Sequence, residues 1–171
     1  LADRLGYDQT SGAFYLAPAP LDFEPIPEKP SREEADAAVA DLSVLIREFP
    51  FVSDVDRSAA LSQLLTPMLR TLMDVAPAHA IIATEAGSGK SFLTDIGSMM
   101  LNGEKAGVLL ASDDFAETEK ALVGSMLAGI PLICLDNCKG SLASNVLAQC
   151  IERPVMELRM LGESRLLFPM G

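Results

Sequence analysis

Gly87, Gly89, Lys90 and Ser91 stand within the run Thr84-Glu85-Ala86-Gly87-Ser88-Gly89-Lys90-Ser91, between an apolar stretch and an apolar-periodic one. Consecutive backbone N–H groups in a glycine turn that opens a helix make a concave donor surface suited to phosphate oxygens. The two glycines let the backbone approach the ligand, Lys90 neutralises the outer phosphates, and the Ser91 hydroxyl is an oxygen ligand for Mg²⁺. The spacing therefore predicts a nucleotide-phosphate cradle formed by Thr84, Glu85, Ala86, Gly87, Ser88, Gly89, Lys90 and Ser91, with Phe92 next to it as a further cofactor-binding residue, and with ATP and Mg²⁺ as the ligands. The pattern asks for a glycine where the chain has Thr84, so the match rests on Gly89-Lys90-Ser91 and its flanks.

A second candidate lies 46 residues after Lys90, where Pro131-Leu132-Ile133-Cys134-Leu135-Asp136 is an apolar run ending in a carboxylate. A carboxylate at the carboxyl end of a buried parallel strand faces the crevice where ligands bind in open α/β sheets, so Asp136 is the second expected Mg²⁺ contact. Such strands commonly carry a water-orienting Glu next; here Asn137 occupies that place and is no base. Asp113, Asp114 and Glu117 read as the solvated, dipole-favoured start of a helix. Glu119 stands open between that role and water activation, a matter of geometry.

These residues need a scaffold, and the pattern supplies one. The apolar run 78–83 predicts the strand before the cradle, followed by a helix over 90–102, a strand near 107–112, a helix over 115–128, the strand 131–136 and a helix over 143–152. Strands alternating with helices imply a parallel sheet covered on both faces, a three-layer α/β fold of the P-loop NTPase type. Upstream, Ser31-Arg32-Glu33-Glu34 has capping-box spacing, and Ala35, Val39, Leu42 and Ile46 continue a helix to about Phe49. A second helix from about Asp56 presents Leu61, Leu64, Leu65, Met68, Leu69, Leu72 and Met73, kinked at Pro67. The two form an expected N-terminal helical cap over 31–75, ahead of an αβα core over 78–171. Runs 155–161 and 165–170, joined by Gly162-Glu163-Ser164, predict a C-terminal β-hairpin. Five of the eleven prolines fall within residues 1–30, which lack helical periodicity and read as an extended leader or linker arm.

Composition narrows the class. The 171-residue chain is 49% hydrophobic and 22% charged, enough for one domain with a core. No apolar stretch nears the ~18 residues that span a bilayer, and no signal-peptide pattern opens the chain, so a cytoplasmic protein without membrane contact is expected. Three cysteines without paired spacing predict free thiols. His79, the single histidine, reads as a packed or hydrogen-bonded strand residue. The net charge of −11 divides as −7 over 1–77 and −4 over 78–171, so nucleic acid is repelled on average and any contact needs a local cluster.

From Pro27 onward the chain resembles the ATPase domain of phage and prophage primase–helicase proteins, relatives of superfamily 3 helicases within the AAA+ group. The resemblance spans about 140 residues and is carried by Arg47-Glu48-Phe49-Pro50-Phe51, Asp56-Arg57-Ser58-Ala59-Ala60-Leu61, Ala86-Gly87-Ser88-Gly89-Lys90-Ser91, Glu119-Lys120 ahead of Ala128-Gly129, Leu135-Asp136-Asn137 and Arg159-Met160-Leu161-Gly162-Glu163-Ser164. It implies a homo-oligomeric ring that translocates on DNA at the expense of ATP, with Asn after the strand-end Asp as a family feature. It also implies a hairpin projecting into the channel, which makes Arg159 and Arg165 candidate DNA phosphate contacts; on the residues alone they are two exposed arginines of a hairpin. Leu1 and Gly171 read as cut ends, and the family's sensor strand and arginine finger would follow Gly171, so weak or absent hydrolysis is expected of this chain. Two other readings stay open: a nucleotide-binding regulatory or assembly module, and a P-loop small-molecule kinase.

Overall fold

The structure, a computed structural model, describes residues 6–8, 13–15, 27–85, 87–112, 114–138, 144–160 and 163–167. Its contacts divide the chain into two units, Leu1–Arg47 and Glu48–Gly171.

In the first unit, β1 (Gly6–Asp8) and β2 (Ala13–Tyr15) pair antiparallel, with Tyr7 opposite Phe14. The reading of 1–30 as a Pro-rich leader or linker does not include this pairing. The prolines begin only at Pro18, and the stretch before them is free to pair. Helix α1 (Arg32–Leu45) starts where its cap predicts. Ser31 Oγ accepts from the Glu34 N–H at 3.2 Å, and the Glu34 carboxylate accepts from the Ser31 N–H at 2.7 Å, so two orphan donors are satisfied reciprocally. These bonds hold the Glu34 carboxyl below its usual range. The helix ends four residues before Phe49, because the Ile46 N–H turns back to Ser43 and Val44. Only the end of the expected stripe is covered: Ile46 is fully buried and Leu42 partly, while Val39 is exposed.

The second unit is organised by two packed helices and one parallel strand pair. Helix α2 (Asp54–Leu69) is capped by Ser53, whose hydroxyl accepts from the Asp56 N–H at 3.3 Å. Helix α3 (Lys90–Asn102) lies against it. Leu64 is fully buried, and an alkyl side chain of that size contributes about 2–3 kcal/mol when removed from water. Pro67 removes the helical donor that the Gln63 carbonyl would otherwise receive. That carbonyl lies 4.0 Å from where a Cβ on Gly97 would sit, and Leu64 is 3.7 Å from the same point, so the small residue admits the close crossing. The α2 face does not run on to Leu72 as expected. After Leu69 the chain tightens into a 3₁₀ turn, Arg70–Leu72, which leaves Leu72 exposed.

Strands β3 (Val108–Leu110) and β4 (Cys134–Asp136) pair parallel around helix α4 (Phe115–Leu127), with Leu110 opposite Asp136. Cys134 lies beside Thr94 and Asp95 of α3. Alternate residues of a strand share a face, so Asp136 is on the α3 side of β4. On the other side, Leu135 lines an apolar cavity of about 200 Å³ with Leu122 and Met126 of α4, Leu147 and Cys150 of helix α5 (Asn145–Glu152), and residues 76–78. Helices therefore flank this pair on both faces, and among the described residues it is the single parallel pairing.

The run 78–83 forms no strand, contrary to expectation. A strand is defined by a neighbour, and β3 and β4 bond to each other; Ile82 is left 91% exposed. The C-terminal hairpin is present as β5 (Met156–Met160) and β6 (Glu163–Leu167). Met160 pairs with Glu163, so Glu163 and Ser164 belong to a strand and not to the connecting turn. Among the described residues no helix is long and apolar enough to cross a membrane.

Candidate phosphate site

Gly87 and Gly89 adopt left-handed backbone angles, φ 78° and 89°, and Lys90 is the first residue of α3. A left-handed residue followed by a helical one turns successive N–H groups to the same side, the geometry of an anion nest. Four of the five described α-helices have side-chain N-caps, from Ser31, Ser53, Asp114 and Ser144. Helix α3 has Gly89 there and no side-chain cap, so among the described residues its first-turn donors stay open. Beside them the Ser88 hydroxyl oxygen is buried with no hydrogen-bond partner among the described residues. A buried, unsatisfied hydroxyl costs about 1–3 kcal/mol, a deficit an added acceptor removes. Thr84, Glu85, Ser91 and Phe92 are exposed and Lys90 is half-buried; Ala86 lies outside the described residues.

Asp136 ends β4 half-buried, with one carboxylate oxygen accepting from the Asn137 N–H at 2.7 Å. Asn137, with φ 60°, is the one non-glycine residue in the left-handed region among the described residues. Asn tolerates that region far better than Glu, so the backbone itself accounts for the residue that interrupts the expected Asp-Glu pair. Ser91 and Asp136 are both oxygen donors, and Mg²⁺ bound with phosphates takes only one or two protein ligands. Among the described residues no cluster of three or more His, Cys, Asp or Glu forms a metal cage.

The acids after β3 divide clearly. Asp114 caps α4, its carboxylate accepting from the Ala116 N–H at 3.0 Å. Glu117 pairs with Lys120 at 2.6 Å, both exposed, and this contact raises the Lys120 ammonium above its ordinary pKa. Asp113 lies outside the described residues. Glu119 is half-buried and accepts from the Ser144 hydroxyl at 2.7 Å, while that hydroxyl accepts from the Leu147 N–H. The carboxylate with the open assignment is thus tied to the start of α5. Arg159 lies opposite Ser164 and Arg165 opposite Leu158, so the two arginines sit in neighbouring register positions of the hairpin.

Sequence reasoning assigned no local role to two contacts. Phe49 covers Gly89, its ring 3.1 Å from where a Cβ would be, and Ser144 engages Glu119. Three of the chain's seven phenylalanines, at 49, 51 and 92, gather at this loop, which was the available signal for the first.

All three cysteines are free. Burial pushes the Cys134 thiol up, reinforced by the Asp136 charge, and burial raises Cys150 as well. His79 Nε2 is 3.1 Å from the Ser62 hydroxyl. Burial lowers its pKa from the ordinary 6.5, because the fold favours the neutral ring. The unfolded chain takes up this proton first as pH falls, so the stability that His79 contributes is complete above about pH 6.5 and is lost toward its lower native pKa. Denaturant midpoints at several pH values across this window are expected to fall more steeply for the wild type than for His79→Gln.

Comparisons with protein-family models, with curated proteins and with solved structures returned no match.

Proposed function

We propose that this chain binds ATP with Mg²⁺ and forms the nucleotide-binding part of a DNA-translocating motor of the primase–helicase type, working as a homo-oligomeric ring. One observation carries the nucleotide half: the glycine-capped N-terminus of α3, with open first-turn donors beside the orphan Ser88 hydroxyl. Lys90 would balance phosphate charge, and Ser91 and Asp136 would hold the metal, which supplies electrostatic stabilisation of phosphate oxygens when bound. The position of Asp136 on the α3 side of β4, and the helices on both faces of the parallel pair, are in keeping with a P-loop core. The motor half rests on the resemblance.

A second reading, a module that holds nucleotide without rapid turnover, is favoured by the Ser144 bond to Glu119 and by Asn137 after Asp136. ATP hydrolysis measured with and without single-stranded DNA separates the two: stimulation supports the motor, and a DNA-independent rate supports the module. Asp136→Ala is expected to weaken Mg²⁺–ATP binding about tenfold, the scale of one lost charge-assisted contact, and to leave metal-free binding unchanged. Titrations with and without Mg²⁺ check this; an unaltered magnesium dependence removes Asp136 from the site.

A further inference from the structure

Beside the phosphate site, four planar groups stand in series. The Arg57 guanidinium lies 5.7 Å from the Phe51 ring centroid, Phe51 is 6.1 Å from Phe49 at 29°, and Phe49 is 6.1 Å from Phe92 at 13°. Aromatic pairs take offset-stacked or edge-to-face arrangements, and both phenylalanine pairs of this run are stacked. It ends in Phe92, which is 59% exposed although it belongs to the first turn of α3. A single exposed phenylalanine is ordinary on a protein surface. This one follows Lys90 by two residues, and the ring it stacks on touches Gly89, so the column joins the phosphate site twice.

We infer that Phe92 is the stacking platform for the base of the bound nucleotide, the column Arg57-Phe51-Phe49 holding its ring in place. The inference rests on the phosphate reading above and extends it from phosphate to nucleoside. A nucleobase offers a flat π surface of the kind that stacks on exposed protein aromatics irrespective of sequence. Ring stacking reads flatness, not the hydrogen-bonding edge. The ligand class is therefore a nucleoside triphosphate of any base, with purines ahead of pyrimidines through their larger area.

The test compares ATP with inorganic tripolyphosphate, which has the phosphates and no base. Phe92→Ala is expected to weaken ATP about tenfold and tripolyphosphate less than about twofold, the scale of one lost base–aromatic stack. The chain has no tryptophan, so Phe92→Trp adds a single reporter, whose emission ATP should change and tripolyphosphate should not. Equal loss of both ligands, loss of neither, or equal emission changes overturns the platform while leaving the phosphate site standing. A response to a short oligothymidylate without one to ATP overturns it in favour of strand binding. If wild-type protein binds neither ATP nor tripolyphosphate, the nucleotide reading fails and the platform falls with it.

Discussion

Lys90→Ala is expected to lower the affinity for Mg²⁺–ATP about a hundredfold, the scale for truncating one member of a charge pair, while leaving stability within about 0.5 kcal/mol. The asymmetry follows from its surroundings. Lys90 is half-buried at the start of α3, and among the described residues it pairs with no carboxylate, so removing it strands no partner inside the fold. What is lost is the charge set against a ligand that itself carries several negative charges. A comparable fall in the unfolding midpoint would place Lys90 in the architecture and not in binding. Titration calorimetry together with a denaturation curve on the same variant reads both quantities.

Gly89→Val has the other large effect, by a different route. Its φ of 89° is strained for any L side chain, and a β-branched one is the worst case; a Cβ would also meet the Phe49 ring at 3.1 Å. The strain and the displaced ring together cost about 2–3 kcal/mol, and the relaxed loop no longer turns its N–H groups together, so binding is expected to be lost. Gly103→Ala is the control. That residue closes α3 with φ 77° and has open space around its missing Cβ, so the substitution introduces left-handed strain far along the helix from the cradle. It is expected to cost about 1–2 kcal/mol of stability with nucleotide affinity retained. If Gly89→Val binds as well as Gly103→Ala does, the left-handed turn is not what receives phosphate.

Features set by local chemistry were legible in the sequence. Ser31 and Glu34 announced the cap of α1, and Gly89-Lys90 and Gly103 bracket α3 as the periodicity required. The parallel β3–α4–β4 unit followed from apolar runs separated by one helical pattern. Features that need a distant partner were less legible. The run 78–83 has strand composition, but composition cannot say whether a neighbouring strand is there to bond with, and Ile82 ends up exposed. The pairing of Tyr7 with Phe14 depended on cross-strand register, not on the prolines that follow. At the site, the donors and Lys90 were visible as types at a spacing. Phe49 reaches Gly89 across 40 residues and Ser144 reaches Glu119 across 25, and no local pattern encodes either contact.

The same contrast orders the two halves of the functional account. The cradle depends on a short run of backbone and can be examined in this chain. The proposed motor would depend on subunits and strand contacts, for which Arg159 and Arg165 are the candidates, and it calls for assembly and DNA assays. Nucleotide binding comes first, because every later step depends on it.

The most direct measurement is therefore calorimetric titration of the chain with a non-hydrolysable ATP analogue, in Mg²⁺ and again in chelator. The account predicts saturable one-site binding that Mg²⁺ strengthens. No binding up to millimolar ligand, in either condition, would contradict the phosphate cradle and with it the proposed function.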